Sequence, residues 1–332
     1  MKILMFSDLH LDEATKDLAV KFLNTILLYK DFDGVFFLGD LFEKKDRIPN
    51  ILQRIVIDFI DALQKEGKFF YALLGNHDGY IKNYPSAYYL NKFGDNVKLI
   101  VEPEIKFNFL FLPYTEEPEK YEKLILNTRS KYCLLHNEIK GYVLPNNHKI
   151  KQGIDLGLLL RNFLFVFAGH YHTPKVINNK LFVLGNCFPR NFTEATPYNK
   201  IIERGFYVFD TEQEKLTFIP FASPFYVKIL VKDEKQIEEF NTTYKGKEVN
   251  LWLDFEKEME VNISKNVKIL SKIETKMISE TDNIEADIVL DSESIKKFIK
   301  DLIKGKQKEK MLYDVAKSIL EKFGISLGEE NV

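Results

Sequence analysis

Apolar runs of strand length alternate with helical stripes through the first hundred residues of the chain. Residues 2–6, 34–38 and 69–73 are nearly continuous apolar runs, the pattern of strands buried on both faces. Between the first two, residues 15–30 carry Leu18, Phe22, Ile26 and Tyr29 at helical spacing. A second helix is predicted from Pro49, a residue suited to a first turn, to about Lys65, with Gly67 as its stop signal. This β-α-β-α-β order implies parallel strands joined by crossover helices. From about Val97 the predicted strands shorten: 97–100, 105–107, 109–112, 132–135 and 163–168, with helices near 116–128 and 155–162. Residues 175–177, 181–184, 206–209 and 215–219 read as a meander. An α/β (α+β) architecture of two sheets packed face to face, with helices outside each, accommodates this count.

The pattern changes near Ser223-Pro224. A strand over 225–231, a helix near 234–241 and a strand over 249–255 predict a small α+β module, and residues 274–285 read as a polar linker. Two amphipathic helices close the chain. One carries Ile295, Phe298, Ile299 and Leu302; the other carries Leu312, Val315, Ala316, Ile319, Leu320 and Phe323. The division expected is 1–222, 223–285 and 286–332. One earlier helix also stands out, because 50–65 places Ile51, Leu52, Ile55, Val56, Ile57, Phe59, Ile60 and Leu63 on an arc wider than one sheet contact needs. Either a neighbouring helix over 84–93 or a second copy of the chain covers the excess.

Composition narrows the class. At 332 residues, 45% hydrophobic and 29% charged, the chain reads as a globular protein with one large and one smaller domain. It carries no apolar run of membrane-spanning length and opens directly on a strand, so no membrane association and a cytoplasmic location are expected. Cys133 and Cys187 lie inside apolar runs and read as buried free thiols of a reducing compartment. A net charge of −2 does not suggest nucleic acid globally, yet basic side chains beside a cation site can hold phosphates.

The chemistry sits where the strands end. Asp8 and His10 follow the first strand, Gly39-Asp40 the second, and Gly75-Asn76-His77-Asp78 the third. His136 and Gly169-His170-Tyr171-His172 follow later ones, so five of the six histidines occupy strand ends. A lone histidine is more often a hydrogen-bonded core residue than a ligand, but five gathered this way predict a metal site. Two ions about 3.5–4 Å apart can clamp the attacking and leaving oxygens of a phosphodiester. Carboxylate, imidazole and amide donors suit Mn²⁺, Fe²⁺ or Zn²⁺, and no cysteine cluster points to a closed structural zinc site. Asp40, an acid alone at a central strand end, is the candidate bridge.

Asp8-x-His10, Gly39-Asp40, Gly75-Asn76-His77-Asp78, His136 and Gly169-His170-Tyr171-His172 together resemble the calcineurin-like metallophosphoesterases. Within them, Gly-Asp-Leu-Phe-Glu at 39–43 resembles the SbcD-type DNA nucleases of double-strand-break repair. Glu138, Gly141 and residues 205–212 are similar to the nuclease subunits of phage recombination endonucleases.

The resemblance implies a four-layer αββα sandwich, a C-terminal capping module that contacts DNA, and a helical tail that binds an SbcC-like ABC-type ATPase. It implies a homodimer and action in the cytoplasm, in a host cell if the chain is phage-encoded. It also implies two divalent ions, Mn²⁺ foremost with Mg²⁺, Fe²⁺ or Zn²⁺ compatible. One would sit on Asp8, His10 and His172 and the other on Asn76, His136 and His170, with Asp40 shared. His77 would act on the phosphate, oriented by Glu43, where the family often has His or Asp. Tyr171 reads as packing and Asp78 as a cap on a following helix. Lys44, Lys45, Arg47, Lys82 and Arg190 are candidate DNA phosphate contacts. The activity implied is 3′–5′ exonuclease on duplexes and endonuclease on single strands. A phosphatase or cyclic-nucleotide phosphodiesterase, and a metal-free scaffold on the same fold, are the alternatives.

Overall fold

The computed structural model describes residues 1–276 apart from 46, 82, 83, 257, 258 and 260. The helices expected beyond 286, the linker beyond 276 and Lys82 therefore lie outside the described residues. In chain order the elements are β1 (Lys2–Phe6), α1 (Lys16–Leu28), β2 (Gly34–Phe37), α2 (Asn50–Lys65), β3 (Phe69–Leu73), β4 (Tyr80–Ile81), β5 (Tyr84–Pro85), β6 (Val97–Ile100), β7 (Glu104–Lys106) and β8 (Phe109–Leu112). There follow α3 (Tyr121–Asn127), β9 (Tyr132–Leu135), β10 (Ile139–Lys140), β11 (Ile154–Asp155), α4 (Leu156–Asn162), β12 (Phe165–Ala168), β13 (Lys175–Ile177) and β14 (Leu181–Val183). The series ends with β15 (Gly205–Asp210), β16 (Lys215–Pro220), β17 (Phe225–Val231), α5 (Glu234–Thr243), β18 (Glu248–Phe255) and β19 (Lys268–Lys276).

Two six-stranded sheets form the body, in the orders β16-β15-β1-β2-β3-β6 and β13-β14-β12-β9-β8-β7. Four consecutive strands of each are parallel, β1-β2-β3-β6 in one and β14-β12-β9-β8 in the other, and the remaining pairings are antiparallel. Because side chains alternate across a strand, each sheet feeds two cores. Ile3, Met5, Phe36, Leu38 and Tyr71 meet Phe109, Phe111, Tyr132, Leu134 and Phe167 between the sheets. The opposite faces, Leu4, Phe6, Val35 and Phe37 in one sheet and Leu110, Cys133 and Val166 in the other, pack under α1–α2 and α3–α4. The result is the expected αββα layering, and the parallel strands of both sheets direct their C-terminal ends to one rim.

Three expectations change. The four strands read as one meander divide between sheets: β13–β14 pair in one and β15–β16 in the other, because a strand's pattern does not say which sheet it joins. The supposed linker from 274 begins as the end of β19, the parallel edge partner of β18 in a three-stranded sheet whose inner face packs on α5. No helix forms over 84–93; a 3₁₀ turn at Tyr88–Lys92 buries Leu90 instead. On α2, Leu52, Val56, Phe59, Ile60 and Leu63 are buried, while Ile51 is exposed and Ile57 half-exposed. Among the described residues no helix is long and apolar enough to cross a membrane.

Candidate metal centre

The rim where both sheets end is where the backbone departs from ordinary conformations. Asp8, His10, Asp40 and His170 adopt φ of 53°, 44°, 60° and 75°. This left-handed region is unfavourable for residues with a Cβ and is tolerated where surrounding structure imposes it. Asp8 N donates to Gly39 O and His10 N to Asp40 O, so the loops leaving β1 and β2 are zipped together. The glycines of the motifs have a steric reason. A Cβ on Gly75 would lie 2.2 Å from both Asp40 N and Asp40 Oδ1, and one on Gly169 would lie 2.2 Å from Ser7 Oγ. Asp78, expected to cap a helix, instead clamps the loops: it is buried and accepts from Gly75 N, Asp40 N and Leu41 N at 2.8–2.9 Å.

The structure brings all seven expected donors together. His10 Nε2 stands 3.1 Å from His172 Nε2, 3.4 Å from Asp40 Oδ2 and 3.9 Å from Asp8 Oδ1. On the other side of Asp40, His136 Nε2 lies 3.2 Å from Oδ2 and 3.1 Å from Asn76 Oδ1, which His170 Nδ1 approaches to 2.9 Å. Asp40 thus sits between the two groups. Asp8, His10, Asp40 and His136 are essentially inaccessible to solvent. Groups with metal-ligand spacing include Asp8–His10–His172 and Asp8–Asp40–His136. His10–Asp40–His77 is a third such group, so His77 is near the donors as well as near the opening.

Electrostatics favour a cation here. Burial opposes the charge on Asp40, yet His136 and His10 outweigh it and hold the carboxyl below its ordinary range. His136 rises to about 9: burial resists its charge, but the carboxylate of Asp40 more than compensates. His170 falls to about 4 through burial and the neighbouring charge of His136. Imidazole and carboxylate donors bind a dication in their deprotonated forms, so metal affinity at such a cluster depends on pH. The donor set of two carboxylates, four imidazoles and one amide oxygen fits divalent transition ions.

His77 stands at the edge of this cluster, its ring 4.7 Å from that of His10, and main-chain contacts hold it there. Its N–H donates to Asp40 Oδ1, and its Nδ1 is 2.9 Å from the carbonyl oxygen of Glu43. The Glu43 carboxylate was expected to orient His77 but stands 4.0 Å from that ring. It lies instead 2.8 Å from His10 Nδ1, off the line of a good hydrogen bond, and it accepts from Arg190. The extra methylene of Glu carries the carboxylate past His77 and leaves the main chain to hold the ring. His10 first, then Arg190, bring Glu43 down to about 2, against the effect of burial.

Arg190 is correspondingly not a free cation. Its side chain is 12% exposed and forked between Glu43 and Glu194. Lys44, Lys45 and Arg47 are exposed; Lys44 and Arg47 border a cavity of about 240 Å³ with Leu11, Asp12, Phe42 and Leu52. Tyr171 packs as expected, stacked on Tyr142 at 4.2 Å with its hydroxyl accepting from Ile139 N. Glu194 was not foreseen. It is buried, accepts from Asn186 Nδ2 and Arg190 N, and faces His172 Nδ1 at 2.8 Å. Burial opposes its charge, but His172 and Arg190 bring it down to about 2.

Exonuclease subunit 1 of Enterobacteria phage T4 is 26% identical over 316 residues, covering 89% of this chain and 88% of that protein. The DNA double-strand break repair protein Mre11 of Nanoarchaeum equitans (strain Kin4-M) is 26% identical over 280 residues, 71% of this chain and 73% of that one. A crystal structure of the nuclease MPE of Pseudomonas putida matches at 17% identity and a TM-score of 0.29, covering 53% of this chain and 63% of that one, less than two thirds of its length. The family profile described as calcineurin-like phosphoesterase matches residues 1–174. With more than half its length under that profile and a buried carboxylate–imidazole cluster at the strand ends, the chain belongs to the calcineurin-like phosphoesterases, metal-dependent hydrolases of phosphoester bonds.

Proposed function

We propose that the chain is a Mn²⁺-dependent DNA nuclease, the nuclease subunit of an SbcCD-type recombination or repair complex acting in the cytoplasm. It would act as a 3′–5′ exonuclease on duplex ends and an endonuclease on single strands. The observation that carries this reading is the convergence of six donors around Asp40 with His77 beside them, its Nδ1 engaged by a main-chain carbonyl. The likeness to a phage exonuclease subunit over nearly the whole chain, at 26% identity, supports DNA over a small phosphoester.

In this reading Asp8, His10 and His172 hold one ion, Asn76, His136 and His170 the other, and Asp40 both. The ions, when bound, neutralise charge on the phosphate and activate water. His77, 33% exposed, donates through Nε2 to a nonbridging oxygen or protonates the leaving 3′ oxygen. Lys44, Lys45 and Arg47 hold flanking phosphates. The sheet β17–β19 with α5 serves as the DNA-contacting cap, and residues 286–332 bind an SbcC-like ATPase. The outer side of α2, with Ile51 exposed, pairs with a second copy; light scattering at micromolar concentration that finds only monomer, also with the ATPase present, would end that part.

The deciding experiment measures bound metal and hydrolysis of linear duplex, single-stranded circles and p-nitrophenyl esters in Mn²⁺. Two ions per chain and DNA degradation are expected, and Asp40→Asn should lose both the second ion and cleavage while keeping the far-UV spectrum. Ester hydrolysis without DNA cleavage would return the protein to the phosphatases, and at most one ion at saturation would remove the two-metal reading.

A further inference from the structure

The two halves of the donor cluster are supported differently. Behind His136, Nδ1 meets the carbonyl oxygen of Leu38, and among the described residues no carboxylate lies within ion-pair distance of His170. Behind the other pair stand two carboxylates: Glu194 Oε1 at 2.8 Å from His172 Nδ1 and Glu43 Oε2 at 2.8 Å from His10 Nδ1. One guanidinium ties them together. Arg190 reaches Glu43 through one terminal nitrogen, and Glu194 through the other at 3.2 Å and through Nε at 3.3 Å. Glu194 is further fixed by Asn186 Nδ2 at 2.7 Å and by Arg190 N at 2.8 Å, and its side chain is 5% exposed. A planar fork on two carboxylates fixes the one hydrogen-bonded to His172 and holds the other close behind His10.

We propose that Glu194 and Arg190 are positioning residues that strap His10 and His172, so that the ion on Asp8, His10 and His172 binds more tightly than the ion on Asn76, His136 and His170. A carboxylate accepting from Nδ1–H fixes the tautomer and presents the Nε2 lone pair to the metal. Removing such a partner typically costs 10–100-fold in affinity. The two ions then load in order. The segment that delivers the strap is also seated on the three-stranded sheet. Thr196 N donates to Tyr226 O, and Phe192 packs against Tyr226 and Trp252 at 5.1 and 5.4 Å. Glu194 therefore has a fixed backbone as well as fixed side-chain partners.

The inference rests on the two-ion reading above, and one Mn²⁺ titration separates the two. The full-length chain, stripped of metal, is titrated with Mn²⁺ by calorimetry and by the loss of the free-ion paramagnetic resonance signal. Wild type should show two unequal classes of site. Glu194→Gln should weaken the tighter class about 10–100-fold and leave the weaker one unmoved. Arg190→Gln should act in the same direction with a smaller effect, and it carries the test if Glu194→Gln does not fold. His170→Ala should show the converse signature. Two classes unchanged in both strap variants, or a loss confined to the weaker class, overturns the strap. Wild type binding two ions equally also overturns it, whereas wild type binding fewer than two ions overturns the two-ion reading instead.

Discussion

Gly75→Ala tests whether the strand-end loops are packed as tightly as the donor geometry requires. Gly75 is not in the left-handed region, so alanine meets no conformational obstacle and would gain about 0.4–1 kcal/mol by restricting the unfolded chain. Space is the obstacle. The new Cβ would lie 2.2 Å from Asp40 N and from Asp40 Oδ1, and both must retreat by at least about 0.8 Å to reach a 3.0 Å contact. Neither atom is free to do so. Asp40 N donates to Asp78 at 2.9 Å, and Asp40 Oδ1 accepts from His77 N at 2.7 Å. Breaking one or two such bonds costs about 1 kcal/mol each, and forcing atoms into a packed site adds about 1–3 kcal/mol. The net expectation is a loss of about 2–4 kcal/mol in urea unfolding. Metal binding should fall with it, because a ligand displaced by that much lies outside the roughly 0.2 Å tolerance of a coordination sphere. Gly67→Ala provides the comparison. Its φ of 71° imposes strain of about 1–2 kcal/mol, but its Cβ would meet nothing within 4 Å, so metal binding should be unchanged. Wild-type stability with two bound ions in Gly75→Ala would refute the reasoning.

Two further outcomes follow from the site. His77→Ser should retain both ions and lose roughly 10²–10⁴-fold in cleavage; metal lost in parallel with activity would instead make His77 a ligand, as its place beside His10 and Asp40 allows. The acid limb of stability should report Glu194. Its pKa is depressed from 4.5 to about 2, so its contribution is present above pH 4.5 and lost as pH falls from there toward 2. For the metal-free protein that loss is on the order of 2–3 kcal/mol for the Glu194–His172–Arg190 group taken together. Urea midpoints measured between pH 7 and 3 should show the limb in wild type and a flatter one in Glu194→Gln; coincident curves would contradict it.

The layered body was legible because each central strand is buried on both faces. Residues 3–6, 34–37, 70–73 and 166–168 are fully buried, and their apolar runs declare them. The edge strand β19 lacks that pressure. Among the described residues it pairs on one side only and is largely exposed, so its sequence, Lys-Ile-Leu-Ser-Lys-Ile-Glu-Thr-Lys, reads as polar chain. Sheet membership failed for a related reason. The runs over 181–183 and 205–210 are both apolar strands, but only the crossing between sheets, 21 residues long, decides that they never meet.

The cluster of Asp, His and Asn was legible because these residue types recur at strand ends, one after another along the chain. The residues that orient them follow no such rule, since an orienting carboxylate can arrive from any loop whose backbone passes within reach. Glu194 illustrates this. It lies three residues after Asn191, which caps a short 3₁₀ turn by accepting from Thr193 N, and locally it resembles an ordinary acid in a first turn. Only the return of that loop to the segments that follow β12 and β14 sets it against His172 and Asn186, 22 and 8 residues away in sequence. Arg190 was misread for the same reason, because a guanidinium near a phosphate site looks alike in sequence whether it meets DNA or two carboxylates of its own chain. Once Glu194 is buried, the cost of an unpaired carboxylate in that position requires a cation beside it, and Arg190 is that cation. The pairing of Glu194 with Arg190 is thus a consequence of burial, which a single sequence does not display, whereas the strand-end cluster follows from residue type and position, which it does.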